Sequence, residues 1–540
     1  MKSPIPHNHH QWQWLAVALG VLSFAVVLAS FNLTDGDLWA KLALGAHVWL
    51  QGSVLPRDVF AFTPVLPEYI DHEWGAGLVF YTCLKWLGPG GLLALKISLA
   101  FGALATAMAA GRKLGASWNS LLALAIPCGA CLLPAYVPVV RSHAFTFFFF
   151  GATLWCLEMI RTGRNWPALV LPPLMLAWAN IHGGFVAGLG AAGVYTALAL
   201  PFFSGRTAAS ASGRPGWPRF FLLLGVTLAC LAVTVINPYG FRFWQYLIPA
   251  LLNPRLQISE WQPLPVFGRD VFIGFRILFV LVAAILLLAW RQTEKRSWPG
   301  LIMLLVTAVI SWRSRRHTAF FAVTALALMG PFVTVAWGRL KTWLAAPLGD
   351  RLPPGRAVLL LYGGLAFYTA AHFLPAASLQ VLTPVGLYPV REVDILSRAR
   401  AEGNLAVPFR LGSYATWRLY PRIKVSMDGR YETTYPESTF RLNEDFHQFQ
   451  GTNWDQLIRQ YAVDYVILDL HSGKLRPEDL QARGYVLIWR TEGASALMAL
   501  EKHAAKLQAV AAALPPTTID PLDARIPETW WPSQTPAAPR

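Results

Sequence analysis

The sequence predicts an α-helical multi-pass membrane protein with an extracytoplasmic α/β domain at its C-terminal end. Three observations lead there. Of 540 residues, 55% are hydrophobic and only 14% charged, with a mean hydropathy of +0.42, where a soluble chain carries nearer a quarter charged residues. Apolar stretches close to the ~20 residues that cross a bilayer recur as far as residue 376. From residue 377 onward the pattern becomes strands alternating with amphipathic helices.

The apolar runs lie near 12–31, 91–111, 118–138, 143–160, 166–181, 183–201, 219–237, 271–290, 298–312, 318–337 and 357–376, which predicts about 11 spans. "MKSPIPHNHH" leads into a run too long for a signal-peptide core, without a small-x-small cleavage site, so residues 1–31 read as a retained first transmembrane helix. With the N-terminus cytoplasmic, every inside loop is basic: Arg112/Lys113, Arg161/Arg164, Arg206/Arg214/Arg219, Arg291/Lys295/Arg296 and Arg339/Lys341/Arg351/Arg356. The net charge of +16 therefore reflects orientation in a lipid bilayer and not nucleic-acid binding. Segment 75–88 is too short for a comfortable crossing, and counting it as one would invert all those loops. Residues 32–90 thus read as one extracytoplasmic loop with juxtamembrane helices, and 91–376 as the polytopic domain. The five cysteines all precede the C-terminal region, and the Cys128/Cys131 CxxC sits inside an apolar run, where packing is its expected role.

Some polar residues break this pattern. Arg141 and His143 in "PVVRSHAFTF", and Arg313, Arg315, Arg316 and His317 in "SWRSRRHTAF", fall at the outer ends of spans. Charges there line a cavity or meet a counter-ion, and the arginine fork suits phosphate. Snorkelling or interhelical ion pairing is the plainer reading. Asn180 and His182 in "AWANIHGGF", Asn237 in "VINPYGF", and Glu260 with Trp261 in "LQISEW" belong to the same face. So do Asp35, Asp37 and Trp39 in "DGDLW" and Asp71, His72, Glu73 and Trp74 in "DHEW". An Asp at 35 or 37 would equally serve as a helix N-cap, worth about 1 kcal/mol. The acids and histidine at 71–73 are a ligand set for a divalent metal ion if they converge.

In the C-terminal domain, 377–503, "YPVREVDILSRARAEGN" reads as an amphipathic helix and "LAVPF" as a strand. "YAVDYVILDL" reads as a buried strand, "LRPEDLQARG" as a helix, and "YVLIWRT" and "SALMALE" as strands. In "GSYATWRLYPRIKVSMDGRYETTY", Asp428 is expected in an ordinary Asp-Gly turn, with an acceptor groove as the alternative. Residues 504–540 form a proline-rich tail, expected to be disordered or extended. No GxGxxG, Walker A, HExxH or GxSxG in context supports a cytoplasmic nucleotide-dependent reaction.

This layout resembles the C-type (GT-C) membrane glycosyltransferases, the superfamily of protein O-mannosyltransferases, lipid A aminoarabinose transferases and oligosaccharyltransferases. The first loop is the most specific part. Its D-x-D-x-W, glycine-ended helix, P-x-x-D-x-F-x-x-T turn and H-E-W are Asp35, Asp37, Trp39, Gly45, Pro56, Asp58, Phe60, Thr63, His72, Glu73 and Trp74. "WANIHGGF", "INPYGF", "ISEW" and "SYATWRLYP…DGR" are also similar to later segments of that group. Ala40 and Lys41 depart from it, standing where many relatives have an aromatic and a histidine.

The resemblance implies a bacterial inner-membrane enzyme that inverts the anomeric centre of a sugar carried on a polyprenyl phosphate. The acceptor would be a carbohydrate, lipid or protein on the periplasmic side. The attacking hydroxyl needs a carboxylate base, Asp37 or Asp35, with Asp71 and Glu73 as further acids. The leaving phosphate needs fixed cations, here Arg141, Arg315 and Arg316. Trp39 and Trp74 would stack on sugar or prenyl. His72, His143, Asn180, His182, Glu260, Trp261 and His317 would complete the substrate contacts. No cofactor is required by this reading, and a divalent metal is compatible with it. A transporter or flippase for a lipid-linked sugar would use similar residues, whereas a non-catalytic envelope assembly protein would make the acids of the first loop dispensable. A flippase predicts paired internal repeats, which the sequence does not display.

Overall fold

Each of the eleven apolar runs is helical in the computed structural model, which describes residues 8–137, 140–204, 217–252, 259–268, 270–293, 296–348, 354–384, 386–514 and 519–520. Most of the proline-rich tail, and the inside-loop residues Arg206, Arg214, Lys295 and Arg351, lie outside the described residues. The chain divides into two compact units, Met1–Asn32 with Leu93–Leu379, and Leu33–Leu92 with Gln380–Arg540.

The first unit is all helical. It opens with α1 (Asn8–Ser30) and continues with the end of α3 (Trp74–Lys113), then α4 (Trp118–Leu132), α5 (His143–Arg161), α6 (Pro167–Ile181) and α7 (Phe185–Leu198); α2 (Gly36–Gln51) belongs to the second unit. Among the described residues, four segments are long and apolar enough to cross a membrane: Gln11–Ser30, Trp74–Lys113, Trp118–Ala135 and His143–Arg161. A fifth is the pair Arg315–Leu328 and Gly330–Arg339, bent by 65°. Five further apolar helices are shorter, so length alone supports fewer spans than the apolar pattern predicts. Helix Thr318–Leu328 is buried on every side, which explains why its sequence is apolar all round and not amphipathic. A buried lysine in the apolar run of α3 has a structural reason: Lys96 Nζ donates to the Leu28 and Phe31 carbonyls at 3.0 and 2.6 Å, satisfying backbone acceptors that the end of α1 leaves open.

The second unit joins the first loop to the C-terminal α/β domain. A five-stranded sheet has the order β3-β2-β4-β6-β5, formed by β2 (Gly403–Ala406), β3 (Ile423–Val425), β4 (Tyr465–Asp469), β5 (Tyr485–Thr491) and β6 (Ser495–Leu500). β2 pairs in parallel with β3 and β4, and β6 is antiparallel to β4 and β5. β1 (Thr383–Pro384) pairs separately with β7 (Ile519–Asp520). The sheet packs on Phe446, Leu457, Val466, Leu468, Leu480 and Met498. Helix Glu501–Ala513 continues the domain, so the tail begins later than residue 504.

The first loop extends this sheet. Ala61 bridges Val425 in parallel, with Val425 N–H donating to Phe60 O at 3.0 Å and Phe62 N–H to Val425 O at 3.1 Å. Thr63 Oγ1 donates to Ser426 O at 2.6 Å, and Thr439 Oγ1 to Pro64 O at 2.9 Å. The exposed edge of β3 is thereby covered.

Two glycines shape the loop's helices. α2 does not end at Gly45, as the motif implies, but runs on to Gln51. Gly45 instead marks the crossing of α2 and α3, where a Cβ would stand 2.0 Å from the Gly77 carbonyl oxygen. Gly45→Ala is expected to destabilise this unit by about 1–3 kcal/mol, the usual cost of overpacking, as a lowered unfolding temperature in detergent. Gly88, at φ 67°, breaks the helical path of α3 just before Pro89, separating the short 75–88 segment from the long apolar run.

Candidate functional site

The predicted residues gather in two clusters, one in each unit. In the second unit, two helices begin with the same device. Asp35 precedes α2, and its Oδ1 accepts the Asp37 N–H at 3.0 Å. Asp71 precedes α3, and its Oδ1 accepts the Glu73 N–H at 3.1 Å. Asp35 is the N-cap of α2, with Asp37 in its first turn, where the helix dipole favours negative charge, and Asp71 and Glu73 lie just ahead of Trp74, the first residue of α3. Asp35 therefore takes the capping role, and Asp37 is the more exposed acid of the pair.

Trp39 does not stack on a ligand here. It is fully buried, edge-on to Tyr414 and Tyr388 with ring centroids at 5.0 and 5.6 Å, because α2 turns it into the domain's core. Trp74 is partly exposed at the start of α3. Asp71 and Glu73 converge on Lys41, whose Nζ lies 3.0 Å from Asp71 Oδ1 and 2.9 Å from Glu73 Oε2. His72 Nε2 is 3.8 Å from Glu73 Oε1. Burial works against the Lys41 charge, but Asp71 and then Glu73 outweigh it and raise its pKa above the ordinary lysine range. Among the described residues, no three His, Cys, Asp or Glu side chains form a metal-binding group.

The P-x-x-D-x-F-x-x-T and DGR segments meet in a buried ion triad. Arg430 Nη2 is 2.6 Å from Asp58 Oδ1 and 2.7 Å from Asp428 Oδ2, and its guanidinium lies 4.9 Å from the Phe60 ring centroid. Asp58 also accepts the Phe60 and Ala61 N–H groups at 3.1 and 2.8 Å. Asp428 is thus a buried charge with a structural partner and not an ordinary turn residue. Neither Lys41 nor Arg430 stands out as a site residue from sequence alone. The available signal was the need of closely spaced acids for a buried cation.

In the first unit, Arg141 pairs with Glu260. Burial pushes the Glu260 carboxyl up, but Arg141 and then Arg316 hold it below the ordinary range. The Arg316 guanidinium lies over Trp261 at 5.2 Å, and Trp261 meets His317 edge-on at 6.2 Å. His143 Nε2 lies 2.8 Å from Ala135 O. His182 closes α6. Its Nδ1 accepts the Gly184 N–H at 2.8 Å and faces the Thr146 hydroxyl at 2.8 Å, while Thr146 itself accepts Trp178 Nε1–H at 3.0 Å. His182 Nε2 lies 3.5 Å from Arg316 Nη2, which brings the guanidinium against the imidazole.

The remaining residues serve the backbone. Asn180 Nδ2 donates to Leu176 O and Ile236 O, both at 2.9 Å, and Asn237 Oδ1 accepts Tyr239 N–H at 2.8 Å. Arg315 is among the groups that, behind the Arg276 hydrogen bonds, hold the Asp270 carboxyl low. Cys128 and Cys131 are buried free thiols.

No protein-family model and no curated protein matches the sequence. Solved structures do. The chain is similar to ArnT from Cupriavidus metallidurans in the apo state, with a TM-score of 0.54 and 15% identity over 94% of this chain and 99% of that one. A second ArnT structure, bound to undecaprenyl phosphate, gives 0.51 and 14% over 91% and 98%. The arabinofuranosyltransferase AftD from Mycobacteria gives 0.56 and 14% over 90% of this chain but 40% of its own. The chain has the GT-C fold. At this identity the likeness is one of architecture, and the match spans under half the length of AftD.

Proposed function

We propose that this GT-C chain transfers a sugar from a polyprenyl-phosphate-linked donor to an envelope acceptor, inverting the anomeric carbon. The carrying observation is the cluster of Arg316 with the His182 ring, 3.5 Å apart, and of Arg141 with Glu260, in a fold shared with an ArnT structure bound to undecaprenyl phosphate. Arg141, Arg315 and Arg316 bind the donor phosphate and stabilise its charge as it leaves, and His143, His182, Glu260, Trp261 and His317 complete that pocket. Asp37 is the base, since Asp35 is engaged as a cap. The acceptor hydroxyl attacks the anomeric carbon and gives its proton to Asp37, while the bond to the lipid phosphate breaks. The protein sits in the bacterial inner membrane with about 11 spans, its N-terminus cytoplasmic and its C-terminal domain periplasmic. The acceptor is a carbohydrate, lipid or protein.

The test is the chain in nanodiscs with a panel of radiolabelled polyprenyl-phosphate sugars. Sugar release from one donor by the wild type supports the reading. Tight binding without turnover, even with envelope extract as acceptor, sinks it in favour of a flippase. Arg316→Gln is expected to weaken polyprenyl-phosphate binding by about 10- to 100-fold, the worth of one charge-assisted hydrogen bond at about 1.5–3 kcal/mol, measured by titration with the lipid phosphate alone.

A further inference from the structure

The Asp71/Glu73 pair is the place in the first loop where a divalent metal would be expected, and its donor set does not suit one. Lys41 Nζ already lies 2.9–3.0 Å from one oxygen of each acid. The three side chains are only 14%, 4% and 12% exposed, so the ammonium is not a loosely held surface partner. Its backbone is also fixed, because a Cβ on Gly77 would stand 2.7 Å from the Lys41 carbonyl oxygen. The same close crossing of α2 and α3 that brings the lysine to the acids prevents it from backing away. Asp71 Oδ1 is committed twice, to Lys41 and to the Glu73 N–H at 3.1 Å. Two carboxylates with a helix N-terminus behind them still carry close to two negative charges, and a buried pair of that kind requires a cation.

We infer that Lys41 is that cation: its ammonium replaces a divalent ion between Asp71 and Glu73 and holds both acids in place. Lys41 is a positioning residue, and the cluster works without metal. A single positive charge leaves the pair with a net charge near −1. A divalent ion would cancel it. On the proposed glycosyl-transfer reading, on which the role in turnover rests, the remaining charge is what orients an acceptor hydroxyl.

The experiment titrates Mn²⁺ into the full chain in nanodiscs, followed by electron paramagnetic resonance without any donor. Wild type and Lys41→Arg are expected to bind no Mn²⁺ at this cluster. Lys41→Gln, which removes the ammonium from one oxygen of each acid and leaves their charge to a hard cation, is expected to bind one equivalent, lost again on adding Asp71→Asn and Glu73→Gln. Wild-type binding that disappears in Asp71→Asn/Glu73→Gln overturns the inference, and so does a folded Lys41→Gln that takes up no metal. Should Lys41→Gln not fold, the wild-type and Lys41→Arg titrations still decide it. In the sugar-release assay, wild-type turnover is expected to be unchanged by EDTA, and a tenfold or larger loss overturns the inference. Absence of turnover from every donor would sink the glycosyl-transfer reading instead, while the Mn²⁺ titration would still judge Lys41.

Discussion

Asp37→Asn is expected to insert and fold as the wild type does, yet to lower sugar transfer by about a hundred- to ten-thousand-fold, the usual contribution of a general base. The amide keeps the shape of the side chain and removes its basicity. Asp37 is exposed in the first turn of α2 and does not cap it, so little stability depends on its charge. Asp35→Asn is the matched control. Asparagine caps a helix about as well as aspartate, so the Asp37 N–H bond to residue 35 survives while the charge is lost. Full activity in Asp37→Asn together with its loss in Asp35→Asn would move the base to Asp35. Rates measured at saturating donor separate this effect from binding.

Arg430→Met should be the most damaging single change to stability. It leaves Asp58 and Asp428, each only about 1% exposed, without their shared cation. Breaking a buried ion pair from one side costs about 3–5 kcal/mol. The expected result is a markedly lower unfolding midpoint and fast amide exchange at Phe60, Ala61 and Val425, whose hydrogen bonds depend on the turn that Asp58 holds. Asp58→Asn/Asp428→Asn added to Arg430→Met should recover part of the loss, because no buried charge then remains. An unchanged midpoint in Arg430→Met would show that the triad contributes no net stability.

Much of the architecture was legible because lipid imposes a simple code. Every apolar run became a helix, and "YVLIWRT" became β5 to the residue. The acids, arginines and histidines were legible as candidates from their unusual position. Their partners were not. Glu260 was read as substrate-facing, but its tie to Arg141 joins residues 119 apart in sequence, beyond any local pattern. Trp39 was read as a stacking surface, yet tertiary packing turned it inward against Tyr388 and Tyr414, since an aromatic at a helix start looks the same whether it faces core or solvent. Lys41 was visible only as a departure from a motif. Its meaning required the Gly45–Gly77 crossing that places it between two acids. β3 and the helices Phe409–Leu419 and Glu437–His447 were also missed, because short elements rich in aromatics and arginine carry weak periodicity.

That sheet has a consequence for biosynthesis. The stretch that binds alongside β3 is made early, and β3 itself belongs to the last third of the chain, with the helices of the first unit after α1 translated in between. At about 5–20 residues per second the wait is roughly 20–70 s. During that interval the nascent segment around Phe60–Thr63 has its backbone donors and acceptors open to water or to the wrong strand. A ribosome that stops before residue 380 would therefore release a polypeptide whose helices are complete but whose early loop has nothing to pair with. Quality-control proteases would read such a product by cleavage between residues 55 and 66, long before any loss of activity could be assayed.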